Sequence, residues 1–175
     1  MNTFELDQAH SSANFSIKHM MIAKVNGGFK KLKGTLVFDK NNLAGSSVVA
    51  EIETASIDTK EPQRDNHLKS ADFFDAEKYP TINFKSTSFE GKDGEYKVKG
   101  DLTIHGVTKP VELKLEGLDS ELKDPYGNIK VGASATTKIN RKDFGLTWNA
   151  ALETGGILVG EDVNITIDVQ FVKKA

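Results

Sequence analysis

Strict alternation of apolar and polar residues constrains this chain more than anything else in it. Near its end, Val163, Ile165, Ile167, Val169 and Phe171 alternate with Asn164, Thr166, Asp168 and Gln170. That is a strand with one dry face, because successive side chains point to opposite sides of a sheet. The same period recurs in Ala13, Phe15, Ile17 and His19; in Leu32, Gly34, Leu36 and Phe38; and in Val48, Ala50 and Ile52. It returns in Ile82 and Phe84; in Tyr96, Val98, Gly100, Leu102 and Ile104; in Val111, Leu113 and Leu115; and in Val131, Ala133, Ala135, Thr137 and Ile139. Turn-forming clusters at Asn41-Asn42, Gly91 to Gly94 and Asp124 to Gly127 separate several of these stretches. The pattern predicts an all-β chain: an eight-stranded antiparallel up-and-down barrel, whose closure removes exposed sheet edges.

The opposite faces decide the solvent. Lys97, Lys99 and Asp101 alternate on one strand and Glu112, Lys114 and Glu116 on the next, where a membrane barrel would need an apolar outer band. The barrel stands in water with an apolar interior. Eight strands give a lumen that is either filled by side chains or holds one small ligand. The inward phase carries Ala13, Gly34, Ala50, Gly100, Ala133 and Ala135, which either leave room for a guest or let large residues across the lumen pack closely. Strands of ~10 residues, rising ~3.3 Å each and tilted ~40°, enclose a lumen roughly 25 Å tall, a shape suited to a linear apolar chain. The candidate lumen residues are Phe15, Ile17, Leu36, Phe38, Ile52, Phe84, Val98, Leu102, Ala133, Ala135, Ile167 and Val169.

Loop parity selects the mouth. The connections 20–28, 56–80, 106–109 and 141–161 fall at one end of a meander, and 39–46, 90–94 and 119–128 at the other. Two of the first set are far longer than a hairpin needs. They bring His19, Arg64, His67, His105 and Arg141 to one rim with Phe73, Phe74, Phe144 and Trp148, while His10 falls at the far end. Within 56–80 the period shifts towards helical, with Pro62 where a first turn tolerates it and Glu61 before it. A short helix between strands 3 and 4 would turn Arg64, His67 and Leu68 the same way. His19, Arg64, His67, Phe144 and Trp148 are the candidate rim residues for a ligand's polar head. The competing reading is that Arg64 and His67 tie the helix down, Phe73 and Phe74 plug the space beneath it, Asp65 pairs with Lys69 or Arg64, and His105 serves its turn.

Composition narrows the function classes. The 175 residues suit a single domain, and 23 basic against 25 acidic residues, without long blocks of either sign, disfavour a nucleic-acid partner. With no cysteine there is no thiol nucleophile or thiolate metal site. No two of the four histidines show ligand spacing, and hydrolase-elbow, phosphate-loop and dinucleotide motifs are absent. Asp72 and Asp75 are weak as an acid/base pair. No apolar run approaches the ~20 residues of a spanning helix. The acidic opening Met1 to Asp7 lacks a leader pattern and reads as cytoplasmic; removal of a leader would make the protein periplasmic or secreted.

Five segments together resemble the YceI-like family, the lipocalin-like, polyisoprenoid-binding proteins of bacteria. They are Asp7 to Phe15 with Ile17-Lys18-His19; Arg64-Asp65-Asn66-His67-Leu68-Lys69-Ser70-Ala71-Asp72-Phe73-Phe74-Asp75; Tyr79-Pro80-Thr81-Ile82-Asn83-Phe84; Gly100 to Val111; and Asn140-Arg141-Lys142-Asp143-Phe144-Gly145. The resemblance runs along almost the whole chain. It implies an extended, lipocalin-like eight-stranded barrel and a non-catalytic carrier, for transport or storage, of a long isoprenoid or related lipid such as an isoprenoid quinone or polyprenyl chain. It implies a small hydrophobic ligand as partner, no cofactor or metal beyond that lipid, and allows a homodimer. The alternatives are an enzyme or metal protein using rim His and Asp residues, and a stress-linked interaction protein with a filled barrel.

Overall fold

The computed structural model describes residues 1–149 and 159–174. The strands are β1 (Asn2–Leu6), β2 (Ser12–His19), β3 (Ala23–Phe29), β4 (Leu32–Phe38), β5 (Ser47–Glu53), β6 (Ile57–Asp58), β7 (Thr81–Lys92), β8 (Glu95–Ile104), β9 (Val107–Gly117), β10 (Leu122–Lys123), β11 (Ile129–Asn140) and β12 (Val159–Lys173). Three pairs are single walls broken in the middle. β12 is flanked on one side by β1 near its end and by β2 near its start. β4 pairs with β1 and β5, and β3 pairs with β2 and β6. With β7, β8, β9, β11 and β12 these make eight antiparallel walls, closed by the β11–β12 ladder.

Every alternating stretch forms a strand, and four further strands appear: β1, β3 and the two-residue β6 and β10. Residues 20–28, expected as a loop, are mostly β3, with only a tight turn at Met20 to Ile22. A Cβ at Gly27 would lie 2.6 Å from the ring of Phe15 and 2.8 Å from Thr59. Here glycine serves a close approach inside a strand. At the N-terminus, β1 places Phe4 in the core. His10 accordingly lies at the exposed break between β1 and β2, its Nδ1 2.9 Å from Asp7, and not before the first strand.

The core has two levels. Towards the 39–46 end, Phe38 stacks on Phe89 and meets Tyr96 edge-on, with centroids 6.3 and 5.5 Å apart. Phe4, Val98, Leu118, Val131 and Phe171 complete this layer. Tyr96 donates its hydroxyl to Asp119; burial first, then that bond, push its pKa up to about 12. β9 and β11 pair only near this level, between Lys114–Gly117 and Ala133–Thr136, and separate towards the opposite end. Beyond that ladder a turn of 3-10 helix, Arg141–Phe144, packs against both strands and adds Phe144 and Leu146 to a cluster with Ile82, Ile104 and Ile139.

Helix α1 (Pro62–Lys69) lies at this same end. Glu61 caps it by accepting from the Gln63 N–H, Pro62 occupies the first turn, and the Ser70 N–H closes it on the His67 carbonyl. Among the described residues no helix is long and apolar enough to cross a membrane.

Candidate functional site

Between the aromatic layer and α1 the barrel is hollow. The cavity, of about 530 Å³, falls within the ~300–1,000 Å³ of small-molecule sites. Its wall reaches down to Phe89, Leu115, Leu118 and Phe171 and up to His19, Thr59 and Trp148. From Val163 to Phe171 along β12 is eight residues, or roughly 26 Å of strand. The space is deep, and blind at the aromatic end.

Nine of the twelve candidate lumen residues line it: Phe15, Ile17, Leu36, Ile52, Phe84, Leu102, Ala135, Ile167 and Val169. Phe38, Val98 and Ala133 do not. They point inward as the alternation requires, but at the level where the lumen is filled; Val98 is 0% exposed within that layer. Ala13 and Ala50 also line the cavity. The small inward residues therefore divide. Gly100 lies under the Phe84 ring, and a Cβ at Gly34 would meet the Val49 carbonyl at 2.8 Å, so these two glycines permit close packing while Ala13, Ala50 and Ala135 border open space.

At the rim, His19, Arg64, His67 and Trp148 line the cavity, whereas Phe144, 2% exposed, is buried in the wedge between β9 and β11. α1 turns Gln63, Arg64, His67 and Leu68 towards the space, a spacing that puts them on one face. Arg64 donates from Nε to Thr59 Oγ1 and from Nη2 to the Thr59 carbonyl, both at 2.7 Å. Asp65 accepts from the Thr59 N–H and hydroxyl at 2.9 and 2.6 Å. Thus Asp65 holds Thr59, not Lys69 or Arg64. His67 lies 2.9 Å from Asp72 and packs edge-on against Phe73 and Trp148. His105 meets Tyr79 edge-on in its turn, with ring centroids 4.7 Å apart.

The residue that sequence reasoning placed at the rim without a role is Arg141. Only 3% exposed, it donates to the carbonyls of Gly160, Leu146, Trp148 and Val159. One guanidinium thus fixes the path after the 3-10 turn to the first residues of β12. Burial lowers its pKa, with Glu161 opposing. Arg141 also lines the cavity, with Arg64 and Lys18, while no aspartate or glutamate among the described residues does. The site is an apolar tube whose mouth carries positive charge. Val25 and Phe29 were missed with β3, and Leu6 with β1; Val25 and Phe29 were obscured by the glycines beside them. The middle of the expected 141–161 connection lies outside the described residues.

Comparison with known proteins decides the kinship. The YceI-like domain matches residues 4–171. The chain belongs to the YceI-like family. A UPF0312 protein of Staphylococcus aureus strain N315 is similar to this YceI-like chain at 40% identity over 98% of each. The crystal structure of BcnA from Burkholderia cenocepacia shares its fold, with a TM-score of 0.82, 24% identity and coverage of 94% of this chain and 98% of that one. A polyisoprenoid binding domain from Saccharophagus degradans, implicated in plant cell wall breakdown, shares the fold at a TM-score of 0.68 and 15% identity, over 98% of each chain.

Among the described residues no three His, Asp or Glu side chains gather as a metal site. His67–Asp72 and His10–Asp7 are two-member pairs.

Proposed function

We propose that this YceI-like chain is a non-catalytic carrier that holds one long apolar chain, of isoprenoid or related lipid type, in the barrel with its polar head at the rim. The observation that carries the reading is the blind apolar cavity of about 530 Å³ beneath α1. Such a volume would be filled by side chains if the barrel were only a scaffold, since protein interiors leave few voids larger than a water. Burying each CH₂ contributes ~0.8 kcal/mol, so a chain of some tens of carbons has gross transfer energy beyond the roughly -18 to -21 kcal/mol at which affinities saturate. Ordering costs consume the excess, and release is slow. Membership of the YceI-like family and the polyisoprenoid-binding neighbour point the same way.

The head belongs near Arg64 and His67, where the cavity meets donors and, among the described residues, no lining carboxylate. An anionic or oxygen-rich head suits a planar fork of donors, and an imidazole donates or accepts. Its test is a binding titration of Arg64→Gln and His67→Gln with a polyprenyl phosphate and with the headless hydrocarbon of equal length. A head-group role lowers affinity for the phosphate selectively with little change in melting temperature. Equal losses for both ligands with a clear fall in stability would reduce Arg64 and His67 to anchors of α1 through Thr59 and Asp72.

A further inference from the structure

The turn between β2 and β3 exposes Met20, Met21 and Ile22 at 44%, 61% and 87%. Two features set it apart from an ordinary hairpin tip. Met20 and Met21 have φ of 54° and 63°, and the Ile22 N–H closes the turn on the His19 carbonyl. Left-handed conformations at both central positions strongly favour Asn-Gly, and side-chain-bearing residues are strained there. Two methionines thus occupy positions that local stability would give to other residues, an arrangement that invites a functional explanation. The tip is also flanked by cations. Lys18 and Lys24 face each other across the β2–β3 ladder, both exposed, and neither has a carboxylate partner among the described residues. The acids on neighbouring β12 are already engaged: Glu161 with Lys142 and Asp162 with Lys138.

Location gives this apolar tip a use. His19, at the base of the turn, lines the cavity mouth, so whatever the tip contacts is brought to the opening. We propose that the Met20-Met21-Ile22 turn inserts into the surface of an anionic phospholipid bilayer, with Lys18 and Lys24 on its head groups, and so docks the barrel mouth-first on the membrane. The inference rests on the carrier reading for its purpose, since an apolar chain then passes between bilayer and lumen without crossing water. Its physical basis is independent: apolar side chains at a tip with adjacent unpaired cations match the interfacial region of a bilayer, where buried apolar area and attraction to anionic lipid combine.

The experiment is co-sedimentation of the full chain with vesicles of equimolar phosphatidylcholine and phosphatidylglycerol, beside vesicles of phosphatidylcholine alone. Wild type sediments with the anionic vesicles, less so in high salt and less after Lys24→Glu. Met20→Asn, Met21→Gly and Ile22→Thr combined keep a two-residue turn, raise the melting temperature and weaken partitioning by about tenfold or more. Leu122→Asn with Tyr126→Asn removes exposed apolar groups at the opposite end and leaves partitioning unchanged. A wild type that stays in the supernatant with both vesicle types overturns the proposal, as does a far-end variant that releases as much protein as the turn variant. So does a turn variant that only dissociates a dimer of this chain in sedimentation velocity. Lipid content is measured separately on organic extracts: vesicle binding by a chain that carries no lipid would keep the docking and sink the carrier, and the reverse result would do the opposite.

Discussion

The ring of Phe84 covers Gly100 across the β7–β8 ladder, so closely that a Cβ at Gly100 would lie 2.5 Å from Phe84 Cζ and 2.6 Å from the Lys85 carbonyl. This is aromatic shielding of a glycine in a sheet. It also sets the calibre of the tube, because Phe84 lines the cavity. Gly100→Ala cannot be absorbed by a side-chain shift alone, as one of the contacts is backbone. The expected cost is about 1–3 kcal/mol, read by urea unfolding, with Phe84 displaced into the lumen and weaker uptake of a linear lipid probe.

Ala135 borders the cavity while Thr136 faces water on the same strand. Ala135→Phe therefore fills the tube and lowers lipid-probe affinity sharply in a fluorescence titration, and Thr136→Phe leaves it near wild type. Similar losses for the two variants would mean that the probe binds outside the barrel.

Arg141 satisfies four backbone carbonyls from one buried guanidinium. Arg141→Ala takes this donor from the carbonyls of Gly160, Leu146 and Trp148, while Val159 keeps Asn149 Nδ2 at 2.7 Å, and the expected cost is about 2–4 kcal/mol. Trp148 is the single tryptophan of the chain and its carbonyl is one of those acceptors. Its emission shifts to the red in Arg141→Ala, and Arg141→Lys, with fewer donors, restores the shift only in part.

At the blind end, the Tyr96 hydroxyl gives stability a defined pH dependence. A folded-state pKa of about 12 stands above the ~10 of an unfolded tyrosine. The contribution is therefore complete below pH ~10 and is lost as pH rises through the folded value. The stability difference between wild type and Tyr96→Phe, followed by chemical denaturation, is constant through neutral pH and shrinks at the alkaline end. A difference that instead vanished on acidification would place its origin elsewhere.

Strand identity was legible because half-buried strands carry their period in the residue order, as in Val163 to Phe171. The walls at 2–6 and 23–29 were less so: the first is five residues long and ends at a break, and the second contains glycines whose reason, the Phe15 ring, is supplied by another strand. Parity of the connections brought Arg64, His67, Trp148 and His19 to one mouth, since topology alone fixes that. What alternation could not give was depth. Phe38 and Val98 share the inward phase of Leu36 and Leu102, yet the lumen is filled at their level by Phe89 and Tyr96. Nor does period place Phe144, whose burial depends on where the β9–β11 ladder stops.

Native mass spectrometry of protein purified without detergent tests the carrier reading most directly, run on wild type beside Ala135→Phe. Wild type is predicted to show a mass in excess of the bare chain that disappears on denaturation and returns from the organic extract as a linear lipid, with the excess much reduced in Ala135→Phe. A wild type at the bare-chain mass that also takes up no linear lipid when offered it would contradict the account.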